Sequence, residues 1–485
     1  MNIIRAMRAI AALLLAGLAQ AASVGIVDFP VTTQKPETQA CFNRAVAMLH
    51  SFWFEEAREQ FESCAAAEPG FVMAWWGVAM TYNHSLWNRV WPAEARAALA
   101  RVSDPSRLSP KERAWLDAVK LLFGEGKKRD REIAYSKALA QIHHAHPDDL
   151  EAATFYSLSL IAIERNIEAG ALALEVYGKQ PEHPGAAHYI IHAFDDPVHA
   201  ILALPAARRY AGIAPEAHHA RHMPSHIFLQ LGMWPETVKS NEQSWAASVA
   251  WQKRKNLSLA LRDYHSQYWL AYGYLQMGRP EDAWKVWEDK KRDIIDSQGS
   301  GEVYRYWAEL GALLVISTGA WDRAAEVFSD PVTIRRAGSE GHAHQPSSAA
   351  RALEGFTRGW AAALKGEDIA PWLDLIEQAR QMAAQRDQSV AAARCEAQKL
   401  MVEAIAARHA GKLTDALALL DRAQSLEEKE HSVSGPPEII KPSHELAGEI
   451  LLEMGRKPEA RARFEMALKR QPKRRASLDG LAKSL

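Results

Sequence analysis

Imidazole is a common transition-metal ligand and titrates near neutral pH, and this sequence concentrates it in one short stretch. Residues 183 to 226 hold His183, His188, His192, His199, His218, His219, His222 and His226, eight of the chain's 19 histidines. Two pairs have helical spacing: His188 and His192 in His-Tyr-Ile-Ile-His, and His222 and His226 in His-Met-Pro-Ser-His. Residues four apart project from one face of a helix, so each pair can present two nitrogens to one ion. The expected ligands are therefore His188, His192, His222 and His226. Asp195, Asp196, His199, His218 and His265 are candidates for extra ligands, or for acceptors that orient a ligating imidazole. Copper, zinc and iron all accept imidazole. No Cys lies nearby to make a thiolate site, and the absence of Cys-x-x-Cys-His argues against covalent haem. Two metal-free uses stay open: a buried polar network around Pro224, or proton transfer.

The elements that must hold these residues are helices. The pattern predicts one over 184–194, one over 198–211, and a third carrying His226 after Ala214-Pro215. Proline is tolerated in a first helical turn but kinks an interior. That puts His222 at a helix entrance and His226 one turn inside. Outside this stretch, Tyr82 to Trp87 and the nearby Trp75, Trp76 and Trp91 form an aromatic patch, for packing or for a ligand. No Ser-His-Asp pattern, nucleophile elbow or phosphate loop appears.

Along the rest of the chain, glycines stand between long helical patterns at a recurring offset. Gly278 leads to Ala283 and Trp287, Gly319 to Ala324 and Phe328, and Gly411 to Ala416 and Leu420. Gly455 leads to Ala460 and Phe464, and Gly232 to Thr237. Near the N-terminus Ala57, Phe61 and Pro69 precede Trp75, Val78, Ala79 and Tyr82. Glycine would close a first helix in the left-handed region. The small residue would let the second helix approach, and the large one would fill the seam. This pattern resembles the tetratricopeptide repeat, a helix-turn-helix unit of about 34 residues. The expected fold is all-α, an α-solenoid of degenerate units in which first helices line a concave groove.

Lys plus Arg total 58 and Asp plus Glu 59. That balance offers no electrostatic footprint for nucleic acid. Arg5 and Arg8, the apolar run Ala9–Leu18 and Ala19-Gln20-Ala21 read as an export signal. The run is too short to span a bilayer, and the mature chain has no other such segment. The expected location is the periplasm or the exterior. Export permits a disulfide between Cys41 and Cys64, at neighbouring ends of one helical hairpin; two buried thiols is the alternative. The expected division is 1–22 export segment, 23–92 N-terminal units, 93–182 irregular helices, 183–230 histidine-rich helices, and 231–485 C-terminal units with inserted loops. Ser109-Pro110 with Glu112 reads as a capping-box start. Loops at 330–348, with His342 and His344, and at 429–443, with Gly435-Pro436-Pro437, are lids or plain insertions. Lys469, Arg470, Lys473, Arg474 and Arg475 read as a solvated helix end.

The runs His50-Ser51-Phe52, Met73 to Gly77, His188 to His192, His222 to Phe228 and Lys441-Pro442 through Glu449 are similar to those of an exported bacterial group of tetratricopeptide proteins. The resemblance implies the solenoid and brings no reaction with it. The expected function is a binding or scaffold protein with a histidine metal site in its groove, taking a peptide, protein or small molecule. A metal-dependent enzyme using the same histidines and a metal-free interaction solenoid are the alternatives.

Overall fold

The structure is a computed structural model describing residues 24–87, 89–297, 300–329, 348–429 and 434–485. The export segment expected over 1–22, and His342 and His344, lie outside these residues. The chain is helical, with 23 α-helices among the described residues. Asn83–His84 and Arg89–Val90 form one short antiparallel pair. No helix among the described residues is long and apolar enough to cross a membrane. The chain forms two compact units, 1–195 with 199–227, and 196–198 with 228–485.

The first unit is a series of antiparallel helical hairpins. Pro36–His50 packs on Phe54–Ala67, Pro110–Leu122 on Lys128–Ala145, Leu150–Ala162 on Asn166–Lys179, and Pro184–Ala193 on Ala200–Ile213. Hairpins thus run through the stretch expected to be irregular. The capping box is present: Ser109 accepts from the Glu112 amide while Glu112 accepts from the Ser109 amide. Cys41 and Cys64 are joined by a disulfide that staples the first hairpin. The core gathers around Phe29, Trp76, Trp115 and Phe155, with ring centroids 5.1 Å apart for Phe29–Trp115 and 5.4 Å for Trp115–Phe155. Gly77 is required by this packing, because a Cβ there would stand 2.4 Å from the Phe61 ring.

The second unit carries the repeat most plainly. Gly232, Gly278, Gly319, Gly411 and Gly455 all have positive φ at helix ends, as the left-handed closure demands. Ala283, Ala416 and Ala460 are fully buried where the partner helices touch. The unit after Gly319 departs from the pattern: Trp321–Arg323 and Glu326–Phe328 are single 3₁₀ turns where a second helix was expected. Phe464 fills a seam between Ser443–Glu453 and Arg475–Lys483, whose Gly448 and Gly480 leave room for its ring.

The C-terminal basic group is not wholly solvated. Arg474 is buried and forms a bidentate pair with buried Glu445 at 2.8 and 3.1 Å. It also donates to the Ile440 carbonyl and the Tyr272 hydroxyl, and Ser477 donates to Glu445. A fully buried carboxylate needs a cation, and that need draws Arg474 inward. Next to it, the Trp234 indole donates to the Lys473 carbonyl at 3.2 Å, and the Arg475 amide to Gln276 at 2.9 Å. The end of the second unit therefore meets its beginning. Removing Arg474 leaves the buried Glu445 with only Lys441, at 3.4 Å, and the Ser477 hydroxyl. An Arg474→Ala variant is expected to lose about 3–5 kcal/mol in urea denaturation; a loss under 1 kcal/mol would contradict this account of the junction.

Candidate metal centre in the first unit

His183 is the N-cap of helix Pro184–Ala193, and its Nδ1 accepts the Ala186 amide proton at 3.2 Å. Pro184 occupies the first turn, where no amide donor is needed. This start puts His188 and His192 on one face, with ring centroids 4.7 Å apart. Beyond Ala200–Ile213 the chain forms a single turn, His218–His222, and then helix Pro224–Gln230. Pro224 sits at the start of the second of these and separates them, as its missing amide proton dictates.

One group of three imidazoles results. His188, His192 and His219 each bring a ring nitrogen within 4.8 Å of the others. His188 and His219 are buried, and His192 is half-buried. The His188 Nδ1 lies 2.7 Å from the His50 carbonyl oxygen, so Nδ1 carries the proton and Nε2 the lone pair. The Nε2 atoms of His188 and His192 are buried and have no hydrogen-bond partner among the described residues. Burial pushes the His188 pKa down to about 3 and that of His192 well below its ordinary value, so both rings are neutral near pH 7. Phe52 packs against all three imidazoles, at 4.4 Å from His188, 5.8 Å from His192 and 5.6 Å from His219. Phe52 itself has φ 54°. Trp87, 43% exposed, stands edge-on to His219 at 5.4 Å.

His222 and His226 form a second pair. Their Nε2 atoms are 3.1 Å apart, and His226 Nδ1 is 2.6 Å from the Asp195 carboxylate. Asp195 takes the His226 Nδ1 proton, so the His222 Nε2–H can donate to His226 Nε2. A proton can thus fill this pair's shared position. The two groups adjoin, with His192–His226 centroids at 6.0 Å and His219–His222 at 6.1 Å. The four expected ligands therefore divide between two clusters, and His219 completes the first.

Of the other candidates, Asp196 accepts the Val198 amide proton at 2.8 Å. His199 packs on Phe194 at 6.2 Å, and His218 opens the single turn. His265 belongs to the second unit, on helix Tyr264–Gln276 beside Trp269. In the aromatic patch Trp76 is core, whereas His84 stacks on Phe54 at 3.6 Å, its pKa lowered to about 4 by burial. The second unit holds a cleft of about 160 Å³ lined by Pro436, Pro437, His444 and Arg470, beside the loop expected at 429–443.

Sequence reasoning missed the network beneath the imidazoles. Glu151, fully buried, lies 2.8 Å from His50 Nε2 with one oxygen and 2.8 Å from His183 Nε2 with the other. His50 Nδ1 is 2.8 Å from the Tyr189 hydroxyl. Gly185 is a sign of this arrangement, since a Cβ there would stand 2.7 Å from His50 Nδ1. His50, Glu151 and His183 also have the spacing of a metal site, but His183 spends its Nδ1 on the Ala186 amide.

No family model matches the chain, and none of the curated proteins does. Among solved structures it is similar to the Cut9–Hcn1 hetero-tetramer of the APC/C, at 12% identity over 93% of this chain and 76% of that one, TM-score 0.36. The yeast Tom70 structure matches at 10% identity over 93% and 88%, TM-score 0.34. The P58(IPK) TPR domain matches at 12% over 92% and 97%, TM-score 0.21. The repeat assignment rests on the hairpins and seams of the chain itself.

Burial opposes ionisation of Glu151, but the two flanking histidines outweigh it and hold the carboxyl at about 2, against an ordinary value of 4.5. A depressed acid contributes stability above its unfolded pKa and loses it as pH falls through the folded one. In metal-free protein, the stability difference between wild type and Glu151→Gln is therefore expected to be largest above pH 4.5 and to shrink toward pH 2. Urea titrations across that range measure it, and a difference independent of pH would refute the assignment.

Proposed function

We propose that this chain is an exported helical-repeat scaffold that docks a protein or peptide partner and holds a transition-metal ion in its first unit through His188, His192 and His219. One observation carries the reading: three imidazoles converge within 4.8 Å, and the Nε2 atoms of two of them are buried with no hydrogen-bond partner among the described residues. Buried polar atoms are almost always satisfied, and an absent ion is one recognised reason for an exception. His188 also has the support typical of a ligand, its other nitrogen held by a backbone carbonyl. Three imidazole nitrogens with no thiolate suit zinc, copper or iron and not magnesium or calcium. Three protein ligands leave a fourth position for water or a partner's side chain. The Cys41–Cys64 disulfide supports an oxidising compartment.

An enzymatic reading draws on that same fourth position. Trp87 is 43% exposed where it meets His219, so the group adjoins the surface there. The site would then bind and polarise a small molecule or its attacking water.

Metal analysis of untagged protein tests the core of the proposal. Wild type and a His143→Ala control are expected to retain one equivalent of zinc or copper through dialysis. A His188→Ala/His192→Ala variant, folded by circular dichroism, is expected to lose it. Equal metal content in all three would remove these ligands from consideration.

A further inference from the structure

The hydrogen positions around Glu151 follow from its neighbours. The Ala186 amide can only donate, so His183 Nδ1 accepts and its Nε2–H faces Glu151. A carboxylate can only accept, so His50 Nε2–H faces the other oxygen, and His50 Nδ1 accepts from the Tyr189 hydroxyl. In this arrangement every donor and acceptor is matched without a second proton on either imidazole, and the carboxylate's negative charge remains. The ion-pair contacts of Glu151 among the described residues are with these two histidines, not with Lys or Arg. Burial opposes this charge, and the two imidazole N–H groups are what hold it in place. The second unit, by contrast, gives its buried Glu445 an arginine.

The same His50 is the last residue of helix Pro36–His50. The carbonyls of Ala47, Met48 and Leu49 just before it accept amide protons from Ser51, Phe52 and Trp53. The His50 carbonyl instead accepts the His188 Nδ1 proton. The negative end of a helix dipole therefore points at His188.

We infer that Glu151 is a positioning residue for the imidazole site: through His50 it fixes the tautomer and direction of His188, and its buried charge is balanced by the cation that His188, His192 and His219 hold. This rests on the metal-site reading above. Glu151 does not touch the ion. It holds the His50 side chain, and the His50 carbonyl turns the His188 Nε2 lone pair toward the site. The ligand class follows from the chemistry: three imidazole nitrogens beside a buried carboxylate favour a metal cation over a neutral molecule or an anion.

The test uses the untagged full chain, stripped of metal and titrated with Zn²⁺ by calorimetry and with Co²⁺ by visible absorption. Glu151→Gln is expected to weaken Zn²⁺ binding about 10–100-fold and to alter the Co²⁺ ligand-field bands. Glu151→Asp, which keeps the charge, is expected to recover most of the affinity. Tyr189→Phe removes only the hydroxyl that pins His50 and is expected to weaken binding roughly three- to tenfold. Should Glu151→Gln not fold, the Tyr189→Phe affinity decides. Wild-type affinity in the folded variants, even with a lowered melting temperature, would make Glu151 a purely structural residue and overturn the inference. Absence of Zn²⁺ binding by the wild type would instead defeat the metal-site reading itself, and the inference with it.

Discussion

A carboxylate removed from water must be met by donors, and each unit of this chain holds one that is fully buried, Glu151 in the first and Glu445 in the second. In the second unit Glu445 draws Arg474 into the interior, and that pair joins three helices and the 440 segment. In the first unit Glu151 is met by two imidazole N–H groups and, among the described residues, no Lys or Arg. The two solutions differ in consequence. The arginine pair is closed and neutral. The histidine pair keeps a negative charge inside and passes its orientation along a hydrogen-bonded chain to His188.

The repeat scaffold supplies the geometry for that chain. A helix that ends at His50 offers a carbonyl, and the left-handed Phe52 turns the backbone so that its ring meets three imidazoles. A helix that begins at His183 spends one imidazole on its own cap and so fixes that ring's tautomer. Gly185 then lets His50 approach within van der Waals range. Helix ends are where backbone groups lack partners, and here they are paired with histidine side chains, His183 at the start of its own helix and His188 from a neighbouring one. The imidazole cluster is thus braced by helix ends.

Much of this was legible in the residue order, and the limits have physical causes. The glycine, small residue and large residue at fixed offsets reported the seams of the second unit, because each answers a local steric demand. The spacing of His188 and His192 reported a shared helix face for the same reason. His222 and His226 also face each other, but Pro224 starts a new helix between them, and periodicity says nothing of how two helices cross. His219, Glu151 and Tyr189 join the site through tertiary packing over separations such as the 101 residues between His50 and Glu151. Arg474 was misread as solvated for a similar reason: its partner lies 29 residues away and is itself buried. The short turns after Gly319 show the opposite failure, a repeat signature in place without the helix it usually announces.

The meeting of the second unit's last helices with its first has a mechanical meaning. An open repeat array is a spring with two free ends, and it can stretch, twist or peel one repeat at a time. The contacts of Lys473, Arg474 and Arg475 with Trp234, Tyr272 and Gln276 clasp that spring into a hoop. A hoop cannot stretch or untwist freely, and it cannot shed its outermost repeat without first opening the clasp.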